Sequence, residues 1–166
     1  MTHIERGNAA PEFSVKSLDG RDYSLASLLA TAPVVAAFFK ISCPVCQFTF
    51  PFLERMHLRY GKSGTTFLGI SQDDAKATKR FAEEYGVTFP MAIDESGRGY
   101  LASNAYGLTS VPTIFLIEPD KKIEVVCIGF HRKALEAIAA SLSGRDKVAP
   151  AALFRPDERV PDYKPG

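Results

Sequence analysis

Two cysteines stand two residues apart in the stretch FFKISCPVCQFTFPFLERM, residues 38–56, and the chain holds only one more, Cys127. Pro44 directly follows Cys43, and proline suits the first turn of a helix because its missing N–H would be unpaired there anyway. Val45, Phe48, Phe52, Met56 and Tyr60 then recur near helical spacing. Cys43 therefore falls at the start of a helix. The partial positive charge and free N–H groups at that end stabilise a thiolate and lower the pKa of a thiol placed there. Cys46 lies one turn in, more buried and within reach of the first sulfur. A pair so placed supports thiol–disulfide exchange, in which Cys43 attacks a disulfide, a mixed disulfide forms and Cys46 resolves it.

The same two residues have other uses. A zinc half-site needs two further ligands, and neither a second C-x-x-C nor an H-x3–5-H pair exists; His3, His57 and His131 are isolated. A structural disulfide between neighbours so close closes too small a loop to stabilise a fold much. Redox chemistry is thus the leading reading, with no metal and no cofactor implied. Cys127 lies in VVCIG, where a small buried hydrophobe is the default.

The totals describe an ordinary domain: 166 residues, 46% hydrophobic, 23% charged and net charge +1. The near balance of charge implies no nucleic-acid partner, and no apolar run approaches the roughly 20 residues that span a bilayer. The polar start, MTHIERGNAAPEF, lacks the apolar core of a secretory signal, so a cytoplasmic protein is expected.

The elements that must position the cysteines can be read from periodicity. PVVAAFF (33–39) is a continuous apolar run fitting a strand buried on both faces, ending just before the pair. LDGRDYSLASLL (18–29) carries an Asp-Gly turn between short apolar stretches and then a helix-like segment. TTFLGIS (65–71) is a second buried strand. Asp73 and Asp74 cap a helix with Ala77, Phe81 and Tyr85 four apart, stopped by Gly86. A strand at 88–93 and a helical stretch to about Ala105 follow. TIFLIE (113–118) and KIEVVCIGF (122–130) flank Pro119-Asp120 as an antiparallel hairpin. The last helix spans 132–143, with Gly144 as its stop. This alternation implies an α/β fold with a mixed sheet covered by helices on both faces. Residues 145–166, rich in proline and charge, are expected to form an extended tail.

From about residue 10 to 144 the chain resembles the redoxin group of thioredoxin-fold proteins, which holds thiol–disulfide oxidoreductases and the AhpC/TSA peroxiredoxins. The resemblance lies in the order of APEFSVKSLDGRDYSLASL, FFKISCPVC with Phe50-Pro51, FLGISQDD, YGVTFPMAIDESG and SVPTIFLIEPDKKI. It implies a thioredoxin-like three-layer α/β/α sandwich with an N-terminal β-hairpin, built as an arm (1–10), a redoxin domain (11–144) and the tail (145–166). It also implies Cys43 as nucleophile, Cys46 as resolving thiol and Pro112 as a cis-proline facing the pair. Val111 would present backbone groups to an extended substrate segment, Gly129 would let that segment approach, and Pro44 would border it. Ser42, Ala37 and Thr49 stand where relatives keep a tryptophan, a buried acid and a glutamate.

Two functions share this pattern. In the peroxiredoxin branch the peroxidatic cysteine aligns with Cys46, with Cys43 in place of a hydroxyl residue and Pro112 in place of an arginine. Losing both partners of a bound peroxide favours disulfide exchange over a thiol peroxidase. A non-catalytic redoxin-like binding module is the third reading. Expected partners are protein or small-molecule disulfides and thiols, together with an electron donor whose identity the sequence does not reveal. A monomer or weak dimer is expected.

Overall fold

The computed structural model describes residues 4–149 and 152–166. Strands β1 (Ser14–Ser17) and β2 (Asp22–Ser24) pair across the Asp19-Gly20 turn and lead into helix α1 (Leu25–Leu29), capped by the Ser24 side chain. Strand β3 (Val34–Phe39) delivers the chain to helix α2 (Pro44–Tyr60), which continues as one element through Pro51. Strand β4 (Thr66–Ser71), helix α3 (Ala75–Tyr85), strand β5 (Met91–Ile93) and the short helix α4 (Leu101–Ala105) follow. Strands β6 (Thr113–Ile117) and β7 (Ile123–Ile128) form a hairpin; strand β8 (Phe130–His131) and helix α5 (Arg132–Asp146) come next, and a two-residue strand β9 (Tyr163–Lys164) lies near the end of the described chain.

Among the described residues seven strands form one sheet in the order β2-β1-β5-β4-β3-β6-β7. Strand β4 runs parallel to β3 and β5, whereas β6 is antiparallel to both β3 and β7. The apolar run of β3 is explained by its central place. Side chains alternate between faces, so Val35, Ala37 and Phe39 enter one core cluster while Val34, Ala36 and Phe38 enter the other. The first cluster is closed by Phe50 and Leu53 of α2, Phe81 of α3 and Leu135 and Ile138 of α5; the second takes Leu25 and Leu29 of α1 and Ala102 of α4. Helices thus cover both faces of a mixed sheet, the α/β/α arrangement expected.

Three boundaries differ from expectation because of contacts distant in the chain. The strand predicted over 88–93 begins only at Met91, because Glu54 of α2 accepts the Thr88 N–H at 2.9 Å and its hydroxyl at 2.5 Å. Gly144 does not end the last helix: α5 runs on to Asp146, held by the Ser143 hydroxyl 2.5 Å from Tyr60 Oη, and Lys147 supplies the left-handed cap at φ 54°. Residues 152–166 are not free of the domain. Leu153 and Phe154 are buried in the first core cluster, and β9 pairs with β8. At the other end the arm runs along the β6–β7 hairpin, where Gly7 N–H donates to the Ile123 carbonyl at 2.8 Å and Ala10 N–H to that of Lys121 at 2.7 Å.

Candidate active site

The loop Lys40–Ser42 joins the end of β3 to α2 and is fixed from two sides. The Ile41 N–H donates to Asp73 Oδ2 at 2.8 Å, and the Ile41 carbonyl accepts from Gln47 Nε2 at 3.0 Å. Cys43 is then the N-cap of α2, in extended conformation (φ −81°, ψ 115°), with Pro44 exposed in the first turn beside it. Its sulfur accepts the Cys46 N–H at 3.3 Å, one of the donors a helix start leaves unpaired. The sulfur therefore sits at the positive end of α2, where any charge it gains in the reaction is stabilised.

The two thiols sit in unlike surroundings. Cys43 is half-buried, whereas Cys46 is 0% exposed. Burial pushes the Cys46 thiol far above its ordinary range, and the neighbouring Cys43 sulfur adds to the effect. At neutral pH Cys46 is therefore a protonated, screened thiol behind an accessible one. All three cysteines are free thiols. Cys127 is also fully buried and pushed up to about 12, again by burial; its thiol is directed at the carbonyls of Gly129 and His131, 3.4 and 3.9 Å away.

Opposite the pair, the Val111–Pro112 peptide bond is cis. The Cys43 thiol donates to the Val111 carbonyl at 3.5 Å, and Pro112 is held from behind by Gly129, whose N–H donates to its carbonyl at 2.8 Å. Gly129 itself adopts φ 70°, a left-handed conformation that other residues rarely take. Beside this loop a cleft of about 230 Å³ is lined by Lys40, Gln72 and residues 108–111. The structure thus brings Cys43, Cys46, Val111, Pro112 and Gly129 together, with Pro44 at the lip.

The positions where relatives carry tuning groups are silent here. Ala37 packs in the core, Ser42 faces solvent, and the buried Thr49 hydroxyl is spent on the Val45 carbonyl of its own helix at 2.6 Å. Sequence reasoning missed two residues that build the site. Asp73 and Asp74 both read as caps for α3, yet only Asp74 caps it, by accepting the Ala77 N–H at 2.8 Å. Asp73 turns instead to the Ile41 loop. Gln47, which no motif singles out, holds the same loop through the Ile41 carbonyl. Among the described residues no three His, Cys, Asp or Glu side chains come together to hold a metal ion, and no helix is long and apolar enough to cross a membrane.

Comparison with known proteins agrees with this geometry. The AhpC/TSA family model matches residues 6–126. The thiol-disulfide oxidoreductase ResA of Geobacillus thermodenitrificans is 30% identical over 133 residues, covering 80% of this chain and 74% of that protein. Among solved structures, a putative thiol:disulfide interchange protein DsbE from Chlorobium tepidum superposes with a TM-score of 0.73 at 23% identity, covering 85% of this chain and 97% of that one. A secreted Mycobacterium tuberculosis disulfide oxidoreductase homologous to DsbE gives a TM-score of 0.64 at 21% identity, covering 80% and 95%. The cytoplasmic location expected from the polar first residues is corrected by these relatives, one of which is secreted. A domain of balanced charge folds alike on either side of a membrane, so composition carried no information about compartment.

Proposed function

This chain belongs to the AhpC/TSA family and is a thiol–disulfide oxidoreductase working by dithiol–disulfide exchange, and we propose that Cys43 is its nucleophile and Cys46 its resolving thiol. In this reading the Cys43 thiolate attacks one sulfur of a substrate disulfide. The substrate S–S bond breaks, its leaving sulfur takes a proton, and a Cys43–substrate mixed disulfide remains. Cys46 then loses its proton and attacks the Cys43 sulfur, releasing the second substrate thiol and leaving a Cys43–Cys46 disulfide. Two electrons have passed from protein to substrate. The same steps run backwards when the oxidised pair meets a dithiol, so a separate thiol or disulfide partner resets the enzyme.

The observation that carries this assignment is the Cys46 N–H donated to the Cys43 sulfur at 3.3 Å, with Cys46 fully buried one turn behind. Attack needs an accessible sulfur at the positive helix end; resolution needs a screened one within reach. Val111, Pro112 and Gly129 would border an extended substrate segment by their backbone, with Pro44 at its edge. Protein disulfides or thiols are the substrates that suit such a border, and small-molecule disulfides reach Cys43 as well. Residues 11–144 would be the catalytic domain, 1–10 an arm and 145–166 a tail.

The peroxidase alternative assigns attack to Cys46, which is 0% exposed and held protonated by burial. A peroxidatic sulfur must be an accessible thiolate, so this geometry favours exchange. Reduction of insulin disulfides by the protein with dithiothreitol as electron source tests the reading. Cys43→Ser should abolish turnover, and Cys46→Ser should accumulate a mixed disulfide through Cys43. Saturable hydrogen peroxide turnover that survives Cys43→Ser and is lost in Cys46→Ser would reverse the assignment.

A further inference from the structure

The Val111 carbonyl that accepts from Cys43 at 3.5 Å is met on another side by Gly166. A side-chain carbon added at Gly166 would run into the Val111 carbonyl and lie 3.3 Å from the Pro112 nitrogen. One added at Gly129 would run into the Lys164 carbonyl and lie 3.0 Å from the Gly166 nitrogen and 3.4 Å from the Pro165 α-carbon. Residues 164–166 therefore lie backbone against backbone across both Gly129 and the cis-proline, against the same Val111 carbonyl that Cys43 meets. Glycines at both closest approaches leave no room for anything between them.

The path to that position is a strand addition. Tyr163 and Lys164 pair antiparallel with His131 and Phe130, the Arg132 N–H donates to the Asp162 carbonyl at 2.9 Å, and the Arg132 guanidinium donates to the Val160 carbonyl at 3.3 Å. The Lys164 ammonium sits 4.6 Å above the Phe48 ring on the first turns of α2. Residues 162–166 keep their side chains exposed. They are held mainly by main-chain groups, the mode in which proteins take up an extended peptide irrespective of its sequence. Farther back the tail is anchored differently, by buried Leu153 and Phe154 and by the Arg55–Glu158 ion pair. A firm anchor followed by a lightly held extended segment is an arrangement that can open without unfolding the domain.

We propose that residues 160–166 are a built-in occupant of the groove that receives an extended, disulfide-bearing protein segment, and that protein substrates must displace them to reach Cys43. The inference rests on the exchange reading with Cys43 as nucleophile. It separates two substrate classes. A protein segment needs the Val111, Pro112 and Gly129 border and competes with the tail. A small disulfide such as glutathione disulfide needs only the Cys43 sulfur, and Gly166 leaves that sulfur half-exposed.

The test compares the full chain, the chain lacking residues 161–166, and Gly166→Val, which cannot fit against Val111. Both altered chains keep the Leu153 and Phe154 anchor, and thermal unfolding verifies that they are folded. Because closed groove reduces apparent affinity by the open fraction, kcat/KM for insulin disulfides should rise about fivefold or more in both, with glutathione disulfide unchanged within about twofold. A synthetic peptide of residues 160–166 should inhibit the shortened chain competitively against insulin. Equal insulin rates in all three chains, or a fall in the shortened one, would overturn the proposal while leaving the exchange reading intact. No turnover of either disulfide by any of the three would remove the exchange reading and this inference with it.

Discussion

The Cys43 sulfur and the Val111 carbonyl oxygen lie 3.5 Å apart although 68 positions separate them in the chain. The contact closes the site between the start of α2 and the loop before β6, the two strand ends that adjoin through the antiparallel β3–β6 pairing. It is a bond that only the protonated sulfur can donate. When the proton leaves, the sulfur keeps the Cys46 N–H as its partner and is repelled by the carbonyl, which frees it on the Val111 side. A substrate sulfur is expected to arrive from that direction.

Serine at position 43 can make both of these hydrogen bonds without being able to attack a disulfide. Cys43→Ser should therefore leave the fold intact, with a melting temperature within a few degrees of the parent, while exchange falls below detection. Circular dichroism melting alongside insulin turnover measures both. A large loss of stability would mean that the sulfur is structural.

Alkylation should follow exposure and protonation together. Cys46 and Cys127 are both 0% exposed and both have their thiols raised by burial, Cys127 to about 12. Iodoacetamide at pH 7 to 8 should label the reduced protein at Cys43 first, and the other two only after denaturant is added. Mass mapping of the labelled peptides decides it. Cys127→Ala should leave exchange within about twofold of the parent, since the thiol points at main-chain carbonyls of its own segment rather than at the pair.

Much of the centre of this molecule was legible because the causes are local. The six apolar residues of β3 have the length and continuity of a strand buried on both faces, and a proline after a cysteine at the head of a helical repeat marked where α2 begins. What escaped depends on contacts far apart in the chain. Asp73 reaches back 32 positions to Ile41, and nothing in QDDAK distinguishes the aspartate that caps from the one that does not. The tail read as an extended segment outside the domain because its composition is charged and proline-rich. It attaches through main-chain groups, which composition does not report, and through the buried pair Leu153-Phe154. Gly144 misled for a milder reason: glycine inside a helix costs about 1 kcal/mol, which the Tyr60–Ser143 contact readily offsets.

Asp73 is the side chain whose loss should show most clearly that the loop before Cys43 is held in place. Asp73→Ala leaves the Ile41 N–H without its acceptor, and hydrogen bonds to charged groups are worth about 1.5–3 kcal/mol. The expected result is a loss of about 2 kcal/mol in stability and a several-fold drop in exchange rate. Asp73→Asn, whose amide oxygen can still accept, should recover most of both. Urea denaturation and insulin turnover on the same samples give the two readouts. Full activity in Asp73→Ala would show that the helix start alone positions Cys43.

The anchor of the tail should respond to acid in a defined window. Arg55 donates to both Glu158 oxygens, at 2.7 and 2.6 Å, and the Arg155 N–H donates to the same carboxylate at 2.7 Å. Together they hold the Glu158 carboxyl at about 2, well below its ordinary 4.5, with the guanidinium as the larger cause. Arg155 and Asp157 are the other charged groups that face this pair. Because the folded-state value is the lower one, the pair's contribution is complete above about 4.5 and disappears as the pH falls from there toward 2. Protection of the amides of residues 152–166, measured against the intrinsic exchange rate at each pH, should therefore be high at pH 6 and fall between pH 4.5 and 2, ahead of the core strands β3 and β4. Glu158→Gln should remove the step by leaving the segment weakly protected at every pH. A segment that stays protected to pH 2, or a glutamine variant that retains the acid step, would place its attachment in Leu153 and Phe154 alone.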